Sequence, residues 1–330
     1  MCDRVAGAVE LSVVVASHDR PLRLRWLLNA LEDQTVGRDR WEVVVAHDSR
    51  GPETEELLRS HPLAAGGTLH GLRFAPGSAG PAQKRNAAWR LAQAPLIVFT
   101  DDDCRPPAEW LERTLEAAAA HPGAIVQGAT RPDPDEAHLI FRTAHAHSQE
   151  IDPPIDWAQT CNIAYPRALL ERAGGFDEGL PIAAGEDTDL ALRARAQGAD
   201  YAGAQSMLTY HAVESLPLHR LLSASWRWQH LPYVVRRHPR LRRLGVLGVF
   251  WKPSHAWLAL AAAGAGLALR RRPLALTLAL PWAHHRLPPY GPTLRGRLRA
   301  ASELPGRALQ DATEFAALAY GSVRARTLFL

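Results

Sequence analysis

Three consecutive carboxylates, Asp101-Asp102-Asp103, close the short apolar run PLIVFT. Carboxylates crowded at one point raise one another's pKa unless a cation compensates them. Mg²⁺ or Mn²⁺ is usually held by one or two carboxylates, with substrate phosphates completing the shell. Alternation along a strand would place Asp101 and Asp103 on one face and Asp102 on the other. Asp101 and Asp103 are therefore candidate cation ligands, although the same triplet could simply cap the helix that follows. A second acidic group, Gly185-Glu186-Asp187-Thr188-Asp189-Leu190, opens an apolar-periodic stretch. Acids there suit the positive end of a helix dipole, and a carboxylate can also accept a proton from a hydroxyl. The stretch runs on to a strand-like Ser206–Tyr210 that closes on His211, either a structural histidine or a further ligand.

These groups need a scaffold, and the first two-thirds of the chain supply one. Leu11–Ser17 (LSVVVAS) and Trp41–Ala46 (WEVVVA) are continuous apolar strands, each stopped by a polar cluster. Leu72–Ala75 and Pro95–Thr100 read as further strands. Pro21 begins a helix carrying Leu24, Leu27, Leu28 and Leu31 at helical spacing. Glu53–Ser60, Pro81–Ala94 and Pro107–Ala120 read as helices. Buried strands alternating with helices predict an α/β fold, a mostly parallel sheet covered on both faces. In such sheets ligands bind outside the carboxyl ends of the strands, where the polar clusters lie. No GxGxxG follows the first strand, and no GxxxxGK followed by Ser or Thr occurs, which disfavours a dinucleotide fold and a P-loop.

The chain has 330 residues, 47% hydrophobic and 22% charged, with a net charge of +4. Its mean hydropathy of −0.18 excludes a polytopic transporter. Three cysteines without metal-ligand spacing exclude a disulfide scaffold and a CxxC zinc site. The opening MCDRVAGAVELSVVVAS reads as a first strand and not a signal peptide, so a reducing cytoplasm is expected. The charge is split. Residues 216–330 hold eighteen Arg/Lys against three acids, a balance of +15, and the residues before them hold twenty against thirty-one, or −11. An acidic part suited to cations and a basic part suited to anionic surfaces are expected.

In order along the chain, SVVVASHDRP, WEVVVAHDSRGPET, GPAQKRNAAWRLA, APLIVFTDDDCRPPAEWLE, TCNIAYPRALLERAGGFDE and GEDTDLALRARAQG resemble family 2 glycosyltransferases of the GT-A fold, bacterial type. The resemblance covers roughly residues 10–215. It implies inverting transfer of a sugar from a nucleoside-diphosphate donor to an acceptor hydroxyl, in cell-surface glycan or glycolipid synthesis. It implies that Asp101 and Asp103 bind Mn²⁺ or Mg²⁺, with Asp103 the direct ligand and His211 a further one. Asp102 then lies near the ribose, Ser17, Asp19 and Arg20 flank the nucleoside, and Arg85 and Asn86 stand beside the donor. Glu186 and Asp187 match the ED pair whose Asp serves as general base. The family often ends its second strand in two acids, whereas here His47 precedes Asp48, which bears on recognition of the base. A nucleotidyltransferase of related fold would usually carry a glycine- and lysine-rich signature after its first strand, absent here. A non-catalytic membrane or nucleic-acid adaptor is opposed by the intact Asp103, Asp187 and His211.

The expected organisation is a GT-A domain over residues 1–215 and a basic, apolar helical region over 216–330. The apolar runs Ala256–Leu269 and Pro273–Ala283 each fall short of the ~20 residues a spanning helix needs. Tryptophan and arginine beside short apolar helices suit peripheral, monotopic or re-entrant attachment to an anionic membrane on its cytoplasmic face. The expected partners are a nucleotide-sugar donor, a glycan or lipid-linked acceptor and that membrane surface, with nucleic acid excluded.

Overall fold

A computed structural model describes residues 9–287 and 290–330. The chain divides into two compact units, one formed by residues up to 140 and 147–214, the other by 141–146 and 215–330.

The first unit carries strands β1 (Leu11–Ser17), β2 (Trp41–His47), β3 (Leu69–Arg73), β4 (Leu96–Asp101), β5 (Cys104–Arg105), β6 (Ile125–Pro132), β7 (Asn162–Pro166) and β8 (Tyr201–His211). They form one sheet in the order β3-β2-β1-β4-β7-β6-β8-β5. β1 pairs in parallel with β2 and β4, β2 with β3, and β6 with β8. β7 runs antiparallel between β4 and β6, and β5 antiparallel to β8. The helices are α1 (Pro21–Glu32), α2 (Glu53–Ser60), α3 (Pro62–Ala65), α4 (Pro81–Leu91), α5 (Trp110–Ala120), α6 (Arg167–Ala173) and α7 (Glu186–Ala196). This is the mixed, mostly parallel α/β architecture expected.

Because side chains alternate along a strand, the apolar run of β1 feeds two cores at once. Val13 and Val15 join Leu24, Leu27, Leu28 and Leu31 of α1 and Trp110 and Leu111 of α5. Val14 joins Phe99, Tyr165, Trp89 of α4 and Leu190 of α7 on the other face. In the register, Ser17 lies beside His47 and Ala16 beside Asp101, so the polar strand ends stand side by side. β3 begins three residues before the expected Leu72, because Leu69 packs into the core against β2. β8 is also longer than expected, extending back to Tyr201 along β6.

The β6–β8 pairing shifts register at Gly128. A Cβ at Gly128 would collide with the Asn162 amide and the Met207 carbonyl, whose hydrogen bond lies there at 2.7 Å. Gly128→Ala is expected to cost about 1–3 kcal/mol through overpacking, read as a lower urea midpoint.

The second unit holds α8 (Leu218–Ser225), α9 (Leu231–Arg237), α10 (Pro253–Leu269), α11 (Leu280–Arg286) and α12 (Leu294–Ala325), with 3-10 turns between them. Buried polar contacts staple three of these helices. Glu314 of α12 pairs with Lys252 at 2.8 Å and with His255 Nε2 of α10 at 3.2 Å. Burial alone would raise the Glu314 carboxyl, but His255 and Lys252 bring it down to about 2. Asp311 accepts from the Trp282 indole and pairs with Arg286, both at 3.0 Å. The acids of the His255–Asp311–Glu314 group thus have cations of the protein's own. Among the described residues, no helix is long and apolar enough to cross a membrane.

Candidate active site

β4 ends at Asp101, and Asp102-Asp103 form a turn into β5. The turn breaks the two-residue alternation that would have put Asp101 and Asp103 together. Asp101 accepts a hydrogen bond from Arg85 at 2.8 Å. Asp103 meets other partners, because β5 pairs with the end of β8 and brings His211 opposite Cys104. His211 Nε2 lies 3.5 Å from Asp103 Oδ1, and Arg20 Nη1 donates to Asp103 Oδ2 at 2.6 Å. Asp101 Oδ1 thus faces Arg85, and among the described residues Asp103 is grouped with Cys104 and His211 and not with Asp101.

Asp103 and His211 together suit a divalent cation. Their ligand atoms and Cys104 Sγ lie within 4.8 Å of one another. His211 Nδ1 donates to the Ala212 carbonyl at 2.9 Å, which orients the ring so that Nε2 faces Asp103. Burial pushes the Asp103 carboxyl up, against the opposing charges of His211 and Arg20. A site that raises a carboxylate in this way gains from an added positive charge. Cys104 is a poor third ligand. Burial holds its thiol well above the ordinary range, and its Sγ approaches the Cys161 carbonyl at 3.6 Å.

The neighbouring strand end supplies the rest of this rim. Ser17 donates to Asp102 at 2.7 Å. Burial, then the charge of Asp103, pushes Asp102 up to about 7. Asp19 adopts a left-handed backbone (φ 52), which aspartate tolerates better than most residues. Its N–H donates to Ser49 and its carboxylate accepts from the Arg50 N–H, fixing the turn that aims Arg20. Besides Asp103, Arg20 binds Glu214 and lies 3.8 Å from Asp102. Burial would lower this guanidinium, but those carboxylates keep it firmly charged.

Asp48 is held at the end of β2 by Lys84 Nζ at 2.6 Å and His18 Nδ1 at 2.9 Å. Although burial opposes it, Lys84 keeps the Asp48 carboxyl below its ordinary value. Lys84 also donates to the Ser17 carbonyl at 3.0 Å, tying the ends of β1 and β2 together. His47 turns away to Glu55 at 3.0 Å, and burial keeps its imidazole below the ordinary value.

Arg85 is buried on α4 and binds Glu186 at 2.9 Å as well as Asp101. Its own burial is outweighed by Asp101, Glu186 and Asp187, so it stays charged. Glu186 also accepts from the Ala184 N–H at 2.9 Å. Both oxygens are thus engaged, and Glu186 serves to anchor Arg85 and the start of α7. Asp187, next along the helix, is half-buried and, among the described residues, hydrogen-bonds its neighbour Thr188, at 2.8 Å to the N–H. Burial, then the charge of Glu186, pushes Asp187 up to about 7. Asp189 is buried against Arg193, which also clasps the Ala173 and Gly175 carbonyls.

Asn86 was expected beside the donor, and the structure gives it a different task. Its amide donates to the Phe176 carbonyl and Glu178, and accepts from the Phe176 N–H and the Trp89 indole. With both ends occupied it pins the Gly175–Phe176 turn and has little left for a ligand.

Sequence reasoning missed Lys84 and Glu214 as members of this rim. Lys84 is one of only two lysines in the chain and directly precedes Arg85, a signal that was present. Glu214, three residues beyond His211, carried no signal of its own.

Residues 12–174 match the sequence profile of glycosyl transferase family 2. Validoxylamine A glucosyltransferase of Streptomyces hygroscopicus subsp. jinggangensis is 27% identical over 225 residues, covering 57% of this chain and 52% of that protein. This chain thus spans about half the length of that relative. Glycosyltransferase AglE of Haloferax volcanii is 23% identical over 257 residues, covering 74% and 83%. Among solved structures, mannosyltransferase PcManGT of Pyrobaculum calidifontis, in complex with GDP-Man and Mn²⁺, superposes with a TM-score of 0.55 at 20% identity. The match covers 96% of this chain and 87% of that one. S. aureus TarS residues 1–349 in complex with UDP-GlcNAc gives 0.53 at 16% identity, covering 97% and 93%. The strand order and the polar rim agree with the profile that residues 12–174 match, that of glycosyl transferase family 2, and the fold is the GT-A fold of these structural neighbours.

Proposed function

We propose that this enzyme transfers a sugar, with inversion, from a nucleoside-diphosphate donor to an acceptor hydroxyl, with Asp103 and His211 holding a divalent cation and Asp187 as general base. The observation that carries this reading is the pairing of His211 Nε2 with the raised carboxylate of Asp103 at 3.5 Å. A cation bound there offsets the charge that grows on the leaving diphosphate. Arg20 and Arg85 add fixed positive charge along the same rim. Ser17, Asp19, Asp48 and Asp102 line the nucleoside side, with Lys84 setting the orientation of Asp48. The acceptor hydroxyl is a weak nucleophile until its proton has somewhere to go, and Asp187 takes it during in-line attack. No covalent glycosyl-enzyme is required.

GDP-Man with Mn²⁺ and UDP-GlcNAc in the structural neighbours support a nucleotide-sugar donor and a divalent cation. The basic second unit supports work at an anionic membrane, on a glycan or lipid-linked acceptor. The buried free thiols Cys104 and Cys161 are compatible with its cytoplasmic face.

Calorimetry of UDP-, GDP- and dTDP-sugars with and without Mn²⁺ tests the reading. Wild type is expected to bind one of these donors more tightly with Mn²⁺. Asp103→Asn should erase that gain, a loss of about tenfold or more, as for ligands and their supports at metal sites. A metal-dependent affinity that survives the substitution would overturn the assignment of Asp103.

A further inference from the structure

The proposal that the enzyme works at a membrane leaves open which surface meets the lipid. We infer that the hairpin formed by α10, the turn Arg270–Arg272 and the following segment to Leu280 lies flat in the interface of an anionic bilayer. This inference rests on the membrane reading and deepens it.

Of the seventeen residues of α10 only Ser254, His255 and Gly264 are buried. The first two lie at the end stapled to α12. Gly264 marks where the returning segment crosses, since a Cβ there would collide with the Ala275 carbonyl. Beyond that crossing no residue is buried until Trp282. Leu267, Leu269, Leu274, Leu276 and Leu280 all face solvent, with Leu269 and Leu274 exposed by 89% and 83%. A helix that is apolar all round belongs in a core or in lipid, and a contiguous exposed patch of this kind marks an interaction surface.

Charge selects the partner. No acid occurs between Glu214 and Glu303, while Arg270, Arg271 and Arg272 occupy the turn between the arms. Arg271 stands there in a left-handed backbone (φ 64), which glycine would adopt with less strain. A second copy of the chain would bring its own arginine triplet to the same patch. Anionic headgroups accept both features, taking leucines below the phosphates and guanidinium groups among them.

The arginines also set the depth. Entry turn-first would carry three guanidinium groups into hydrocarbon, which is costly. α10, at seventeen residues, is also short of a span. Lying in the plane lets the arginine stems reach back to the phosphates while the leucines stay buried.

The test is co-sedimentation of the full chain with phosphatidylcholine vesicles, with and without phosphatidylglycerol. Wild type is expected to bind the anionic vesicles. Leu269→Ser with Leu274→Ser should weaken partitioning by about a hundredfold, since burial of one leucine is worth about tenfold. Arg270→Gln, Arg271→Gln and Arg272→Gln together should remove most of the preference for phosphatidylglycerol, about fivefold per arginine. Metal-dependent donor binding should be unchanged in both variants, showing that they fold. Wild-type binding that both variants retain in full would sink the hairpin and leave the membrane reading standing. No wild-type binding to either vesicle would sink the membrane reading itself. A dimer in light scattering that the leucine variant dissolves would make a second copy the occupant and overturn the proposal.

Discussion

Asp187→Asn is expected to lower the transfer rate by about a thousandfold while leaving metal-dependent donor binding unchanged. The amide keeps the size of the carboxylate and can still accept the Thr188 N–H bond at the start of α7. What it loses is basicity. A carboxylate pushed up to about 7 by burial and by Glu186 is matched to proton abstraction near neutral pH. Below that value wild-type turnover should fall about tenfold per pH unit, because the base becomes protonated, and the variant should show no such limb. Initial rates across pH 5–9, with calorimetric donor binding beside them, check both points. Full activity in the variant would remove Asp187 from the chemistry.

The same shift has a consequence for stability, of opposite sense to that of an ordinary ion-paired aspartate. The folded carboxyl titrates near 7 and the unfolded one near 3.8, so folding favours the protonated form. That contribution is full below the lower value and is lost as pH rises through the upper one. The asparagine variant should therefore melt higher than wild type at pH 8 but not at pH 4, in differential scanning fluorimetry. An active-site carboxylate held out of its preferred state is the usual form of this trade.

The second large effect is expected at Arg85. Arg85→Met leaves Asp101 and Glu186 without their shared cation. Breaking a buried pair by removing one partner costs about 3–5 kcal/mol, enough to lower Tm by about 10 °C. Adding Asp101→Asn and Glu186→Gln should restore most of that stability, since the buried charges go with their partner. Arg85 also holds the Asp187 carboxyl down, so its loss moves the acid limb of the rate profile to higher pH. A single variant that melts lower yet keeps the wild-type pH profile would confine Arg85 to a structural role.

Much of the first unit was legible because its signals are local. The β-branched runs of β1, β2 and β4 name themselves as buried strands, and Pro21 and Pro81 mark helix starts. A parallel sheet then forces their polar ends into one row, so Ser17, Asp48 and Asp101–Asp103 could be grouped without coordinates. The pairing within that row was not legible. Alternation predicted that Asp101 would accompany Asp103, but β4 stops at Asp101 and the next two residues turn. Asn86 sat in the expected place on α4, yet the Gly175–Phe176 turn, far along the chain, had claimed its amide.

By itself the sequence determined the layers, the order of the motifs, and the division of charge into an acidic first part and a basic second one. These follow from periodicity, composition and steric rules that act within about ten residues. Only the tertiary structure decided that Asp103 answers to His211 and Arg20, that Asp101 and Glu186 share Arg85, and that Asp187 remains the half-buried, lightly bonded carboxylate. Each of these depends on residues brought together across the sheet. An electrostatic partner is fixed by distance and burial in space, which no local pattern encodes.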